Sequence, residues 1–260
     1  MKSVVITGST KGIGLGMAQE FLTRGHRVMI SGSNQETLNQ ALQKLTAQFG
    51  KEKVLGQTCN VRSYEQVEAL WDASSKAFGK VDIWINNAGI GASRIPFWEI
   101  SFDRIEQVVH TNALGMMYGS KIALRGMIKQ GSGQIYNMEG EGSQSDPREG
   151  LILYGSTKAT LTYLTKGLIK EAANTPVQVC YLSPGMVITD LLMGDTKPED
   201  MERVKRIFNI LADTVETVTP WLVEQILANN KHGIRIAWLT KSKAMWRFAT
   251  ARFNKRDLFA

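Results

Sequence analysis

Alternating strand and helix patterns mark this chain as α/β, a doubly wound parallel sheet with helices on both faces. Three observations carry that reading. Short β-branched runs alternate with amphipathic stretches from the N-terminus onward, as βαβ units do. The first of these runs passes through a glycine-rich turn straight into a helical pattern. A chain of 260 residues is long enough to bury one large core between two helical layers. Right-handed crossovers then leave the doubly wound sheet as the economical topology.

The elements follow in order. Residues 2–7 read as a strand, and residues 12–24 as a helix with Ile13, Met17 and Phe21 stacked at i, i+4 and i+8. Gly25 ends that helix. Residues 27–31 form the next strand, and Asn34 caps a helix through about Phe49, its side chain suited to a free N–H of the first turn. Further strands are expected at 53–58, 81–86, 134–138, 177–182 and 234–238. Helical patterns lie near 63–78, 102–129 and 153–174. With no repeat, low-complexity tract or linker, residues 1–240 read as one domain. A basic, aromatic extension follows over 241–260.

Composition narrows the classes. Hydrophobic residues make up 43% and charged residues 21%, which excludes disorder and fibrous repeats. Mean hydropathy is -0.16, and no apolar run approaches the ~18 residues of a membrane helix. The opening residues, glycine-punctuated by Gly8, do not read as a signal peptide. Cys59 and Cys180 have no paired spacing and the three histidines no ligand spacing, so no disulfide, zinc or other metal site is expected. Unpaired thiols suit a reducing compartment, and a cytoplasmic location is expected. Of the net charge of +7, +5 lies within 241–260. A basic nucleic-acid face across the fold is therefore excluded.

The chemistry begins at Thr7-Gly8-Ser9-Thr10-Lys11-Gly12-Ile13-Gly14. Glycines let the backbone turn sharply and approach a pyrophosphate, whose charge sits at a helix N-terminus among free N–H groups. On the first strand of a Rossmann-type sheet, this Gly-x-x-x-Gly-x-Gly turn points to a nucleotide. Dinucleotide folds that take NAD place an acid after the second strand; here Gly32, Ser33 and Asn34 stand there. Lys11 is instead suited to a 2′-phosphate, which favours NADP(H). Asn86-Asn87-Ala88-Gly89 closes the fourth strand. Tyr154-Gly155-Ser156-Thr157-Lys158 puts a phenol and an ammonium on one helix face.

Together these segments make the chain resemble the classical short-chain dehydrogenase/reductase family over roughly residues 3–238. The resemblance implies a seven-stranded sheet and a nicotinamide cofactor across the strand C-termini. Gly8, Ser9, Thr10, Lys11, Gly12, Ile13, Gly14 and Ser33 would hold its phosphates and ribose, and Asn60 with Val61 its adenine. Asn87, Ala88, Gly89, Tyr154 and Lys158 would line the cofactor, and the loop of Pro184, Gly185, Val187 and Thr189 would hold the carboxamide. Asn112 would support a proton relay behind Lys158. A free tyrosine titrates near pH 10, and Lys158 with an oxidised nicotinamide would lower that value. In reduction, Tyr154 would donate its proton to the carbonyl oxygen as hydride arrives.

One departure stands out. Glu139 and Gly140 occupy the places where the family usually carries a catalytic serine. Ser143 or Ser145 is open as a substitute donor, Ser143 being nearer; both equally suit an ordinary Gly/Ser-rich loop. The stretch 137–143, the Tyr154 helix and the loop 183–192 are similar to the chlorophyll b reductase branch, which reduces a formyl group. Residues 191–213, with Leu191, Met201, Ile207 and Phe208, read either as a substrate lid or as a helix packed on the core. Trp84, Ile95, Phe97 and Trp98 are candidates for the opposite wall. The tail reads as a membrane-surface contact or as a helix whose aromatics pack on a neighbouring subunit, the second preferred. The family resemblance implies a homodimer or homotetramer. Besides a reductase of such a bulky carbonyl, two alternatives stand: catalysis on another ketone or alcohol, steroid-like or 3-oxoacyl, and a non-catalytic NADP(H)-sensing regulator.

Overall fold

The computed structural model describes residues 1–92, 94–143, 146–193, 201–254 and 256–259. Its seven strands are β1 (Ser3–Ile6), β2 (Arg27–Gly32), β3 (Val54–Thr58), β4 (Ile83–Asn86), β5 (Gly133–Met138), β6 (Val177–Ser183) and β7 (Arg235–Ala237). All neighbours are parallel, in the order β3-β2-β1-β4-β5-β6-β7. The order reverses between β1 and β4, and that reversal opens a crevice beyond their carboxyl ends.

Period-2 alternation sends successive side chains to opposite layers. Val4 and Ile6 join Val28, Ile30, Ile83 and Ile85 on one face. There they meet Met17 and Phe21 of α1 (Gly12–Thr23), Leu38 of α2 (Gln35–Phe49) and Leu222 of α9 (Val215–Ala228). Val5, Met29, Trp84, Ile135 and Val179 face the other way. They pack on Trp71 of α3 (Tyr64–Phe78) and on Ile122 and Met127 of α5 (Gly115–Gln130). Both faces are covered, so the strands are apolar almost throughout. Asn34 caps α2 as expected, accepting from the Thr37 N–H at 2.9 Å.

The helix expected over 102–129 departs from regular α geometry. α4 (Phe102–Val109) passes through a wider π-helical turn at His110–Leu114 before α5 begins. Such turns occur frequently at functional sites, and this one carries the buried Asn112. α6 (Ile152–Glu171) presents Tyr154 and Lys158 to the crevice.

The C-terminal segment packs on its own chain. α7 (Asp190–Met193) and α8 (Met201–Leu211) follow β6, and α10 (Lys241–Thr250) lies against α8. The anchor is Asp213, 3% exposed. It accepts from both Arg247 terminal nitrogens (2.8 and 3.1 Å), from Arg256 (2.7 Å) and from the Trp238 indole (2.6 Å). Its backbone pairs with Met186 and Ile188. One carboxylate thus joins the loop after β6, the end of α8 and the C-terminal tail. Lys255 of that tail, like residues 194–200 of the expected lid, lies outside the described residues.

Burial opposes the charge of Asp213. Hydrogen bonds from Arg247 and Trp238, with the charges of Arg247 and Arg256, outweigh it and hold the carboxyl below the ordinary range. A depressed carboxylate pKa adds stability above the unfolded value of about 4, and that stability is lost as pH falls through the folded value. Removing one partner of a buried pair costs about 3–5 kcal/mol. Asp213→Asn is therefore expected to speed hydrogen exchange of the α10 amides by at least about tenfold at pH 7. The wild-type chain should gain the same exposure only below about pH 4.

Candidate active site

The crevice is a cleft of about 1390 Å³ along the strand C-termini. Its floor begins where β1 meets β4. Thr7 Oγ1 accepts from the backbone N–H groups of Asn87 (3.0 Å) and Ala88 (3.1 Å). Asn87 Nδ2 returns hydrogen bonds to the Thr7 and Gly8 carbonyls, both at 2.9 Å. Gly8 adopts φ +62°, and a Cβ there would lie 2.8 Å from Ala88 Cα. The turn thus needs glycine on both counts. It delivers the chain to α1, whose first turn has neither a side-chain cap nor an acidic residue. Free N–H groups at such an end suit a phosphate.

Most of the expected contact residues line this cleft: Gly8, Thr10, Lys11, Gly12, Ile13, Gly14, Ser33, Asn60, Val61, Asn87, Ala88, Gly89, Pro184, Gly185, Val187 and Thr189, with Ser143, Tyr154 and Lys158. Ser9 does not line it. Its hydroxyl is buried between the Ile6 carbonyl (2.7 Å) and the Ser31 N–H (2.9 Å), tying β1 to β2. Lys11 pairs with Asp190 at 2.9 Å, both side chains well exposed. Burial pushes the Cys59 thiol up to about 12, which leaves it protonated and inert at neutral pH.

The Asn112 side chain is wholly buried and fully used. Its Oδ1 accepts from the Ile90 N–H at 2.8 Å. Its Nδ2 donates to the Ile90 carbonyl (3.0 Å) and to Thr157 Oγ1 (3.2 Å). Asn112 therefore ties the segment following β4 to α6 at Thr157, the residue before Lys158.

Tyr154 and Lys158 stand together, the ammonium 5.6 Å from the phenol ring centroid. Burial pushes the Tyr154 phenol above the usual tyrosine range, and Glu141 adds to that. Burial lowers Lys158 to about 8, against the opposing pull of Glu139. Against expectation, then, the chain's own charges do not lower the phenol. Desolvation, which penalises the charged form of both groups, is the leading cause of both shifts.

The missing serine has a steric counterpart. A Cβ at Gly140 would lie 2.6 Å from the Tyr154 hydroxyl oxygen and 3.0 Å from Lys158 Cε. Ser143 is turned elsewhere: its Oγ accepts from the Gly140 N–H (3.1 Å) and contacts the Lys158 carbonyl (3.5 Å). It closes the loop against α6. Ser145 lies outside the described residues.

Leu191, Val204, Ile207 and Phe208 line the cleft from the expected lid, and Ile90, Arg94 and Leu151 line it too. The expected opposite wall is corrected. Trp84 is fully buried in the core beside Trp71, while Phe97 and Trp98 point into solvent and neither they nor Ile95 line the cleft. The sequence reading also missed the acid Glu139 and its partner Arg235 as a pair on the cleft wall, 2.5 Å apart. Nothing local in sequence joins two residues on different strands.

A family model described as short chain dehydrogenase matches residues 2–200. The chain is 40% identical over 231 residues to the chlorophyll(ide) b reductase NOL of Oryza sativa subsp. japonica, covering 87% of this chain and 66% of that protein. It is 34% identical over 266 residues to the probable chlorophyll(ide) b reductase NYC1 of the same plant, covering 96% and 52%. The chain thus spans between half and two thirds of these relatives' length. Among solved structures, ElxO with NADP bound is similar at 29% identity and a TM-score of 0.77, covering 91% of this chain and 97% of that one. The expected cytoplasmic location is overturned, since both plant relatives are chloroplastic.

The Thr7 hydroxyl satisfies two backbone donors at the cleft floor, and a buried donor left unpaired costs about 1–3 kcal/mol. Thr7→Val is expected to destabilise the protein by about 2 kcal/mol. Urea titration should show a lower midpoint with an unchanged slope.

Proposed function

Because the chain belongs to the short-chain dehydrogenase family, we propose that it is an NADPH-dependent reductase of an aldehyde or ketone, with Tyr154 as the proton donor. The observation that carries this reading is the half-buried Tyr154 beside the buried Lys158 in a cleft floored by a glycine turn. The uncapped N-terminus of α1 and the close approach at Gly8 fit a dinucleotide pyrophosphate. No acid stands where it would meet a ribose 2′-hydroxyl, and Lys11 is free to exchange Asp190 for a 2′-phosphate. Likeness to ElxO with NADP bound supports the same cofactor.

Bound NADPH supplies the hydride. The chain's own groups do the rest. A phenol held above its ordinary pKa carries its proton at neutral pH, the state an acid catalyst of reduction requires. Lys158 provides positive charge beneath the oxygen that gives up that proton. Asn112 fixes the backbone at Ile90 and the α6 turn that carries both groups.

For the substrate we favour the formyl group of chlorophyll b or a similarly bulky carbonyl. Support comes from the 40% identity to the rice reductase. The large cleft, with Leu191, Val204, Ile207 and Phe208 on the lid side, supports it too. The absence of a hydroxyl at Gly140 keeps a binding-only, NADP(H)-sensing role as the second reading. Residues 1–240 would act as one catalytic domain with 191–213 as lid. A homodimer or homotetramer would form through α5 and α6, where Tyr163 is exposed.

Purified protein, NADPH and chlorophyll b in mild detergent test this directly. Wild type is expected to form the hydroxymethyl pigment. Tyr154→Phe should lose about 10²–10⁴ in turnover with NADPH affinity unchanged. Tight NADPH binding without any carbonyl turnover would support the sensing role instead. Because Lys158 loses its charge above about pH 8, the rate of reduction is expected to fall as pH rises through that value.

A further inference from the structure

Glu139 is 5% exposed and continues the β5 ladder, its N–H bonded to the Leu182 carbonyl at 2.8 Å. Strand alternation places it on the face of Asn137, whose amide bonds Thr165 of α6 at 3.0 Å. Glu139 therefore faces the helix that carries Lys158. One carboxylate oxygen, Oε2, is held by Arg235 Nε at 2.5 Å. The other, Oε1, is buried without a hydrogen-bond donor. Lys158 is 4% exposed, a Cβ on the neighbouring Gly140 would lie 3.0 Å from its Cε, and no hydrogen bond to its Nζ occurs among the described residues. Glu139 and Lys158 thus line one cleft, with the residue after Glu139 packed on the Lys158 side chain and one carboxylate oxygen unmet. A buried charge is tolerated only when compensated.

We propose that Glu139 is a positioning residue of the active site: pinned by Arg235, its carboxylate holds the Lys158 side chain charged and directed under Tyr154. The arrangement rests on the reductase reading for its purpose, though not for its physics. Among the described residues, the charged and titratable groups near Glu139 are Lys158 on α6, Tyr181 on β6 and Arg235 on β7, with Tyr154 and Glu141 lining the same cleft. Tyr181 feels both members of the pair, Glu139 raising and Arg235 lowering its phenol after burial has raised it. Among the described residues, Lys158 is the cation on α6 that Glu139 acts on. Burial alone would discharge it, and Glu139 pulls the other way. Arg235 sets how much of the Glu139 charge remains for Lys158, since a carboxylate shared with a guanidinium presents a weaker field to a third group.

The roles of the two residues give opposite signs, and a merely structural role would not. The Lys158 side chain is followed by NMR in the free protein labelled with ¹³C-lysine, so the readout needs neither cofactor nor substrate. Glu139→Gln is expected to move the Lys158 titration midpoint down by about one pH unit. Glu139→Asp should restore part of it, and Arg235→Gln should move it up. With NADPH and a reducible carbonyl, the alkaline limb of kcat should follow the same directions, KM for NADPH staying within about twofold. An unchanged Lys158 midpoint in folded Glu139→Gln would overturn the proposal, as would both substitutions moving it the same way. Should Glu139→Gln fail to fold, Arg235→Gln alone decides: an upward movement supports the proposal and none overturns it. If the Lys158 midpoints move as expected but no carbonyl is turned over, the reductase reading fails and the electrostatic one stands.

Discussion

Four hydrogen bonds between Thr7–Gly8 and Asn87–Ala88 join the carboxyl ends of β1 and β4 where the strand order reverses. The rest of the cleft is built outward from that junction. Parallel strands leave their last carbonyls and N–H groups without ladder partners, and at a reversal point no crossover covers them. Here side-chain groups of Thr7 and Asn87 satisfy the backbone in place of a third strand. The junction fixes the glycine turn on one side and the strand leaving β4 on the other. Asn112 then grips that strand at Ile90 and hands the constraint on to α6. Tyr154 is thus positioned by a chain of buried polar contacts running from the first strand.

Placing two ionisable groups in that dry corner has an electrostatic cost, visible in both. The phenol is driven toward its protonated form and the lysine toward its neutral form, each by loss of water. The fold answers with fixed charges close by rather than with solvent. Asp213 follows a related rule between the loop after β6 and the C-terminal tail, where two arginines and an indole hold its carboxylate ionised. The two sites differ in completeness. Asp213 has donors on both oxygens, whereas Glu139 has one oxygen unmet. The first is built to stay closed, and the second leaves part of its field for a neighbour.

Much of this was legible in the sequence because it rests on short-range patterns. Short β-branched runs located all seven strands within a residue or two. The glycine turn and the Tyr154–Lys158 spacing are local codes, and the fold brings both to one cleft. What escaped depends on contacts between distant elements. Helical periodicity cannot register a single widened turn such as His110–Leu114. Ser9 sits within a cofactor-like motif, yet its hydroxyl is drawn inward by Ile6 and Ser31. Trp84 lies near the cleft in sequence, but strand alternation turns it into the opposite layer. The hold of Asp213 on Arg247 and Arg256 escaped because the acid lies 34 and 43 residues upstream of them and carries no motif.

The close approach of the Tyr154 hydroxyl to Gly140 also limits what can stand at 140. A side chain at 140 would meet the far ends of Tyr154 and Lys158 and not the backbone of α6, so these two side chains are what must yield to it. The space a serine would fill is thus taken up here by the phenol itself, and the position of the hydroxyl oxygen and the identity of residue 140 are set together.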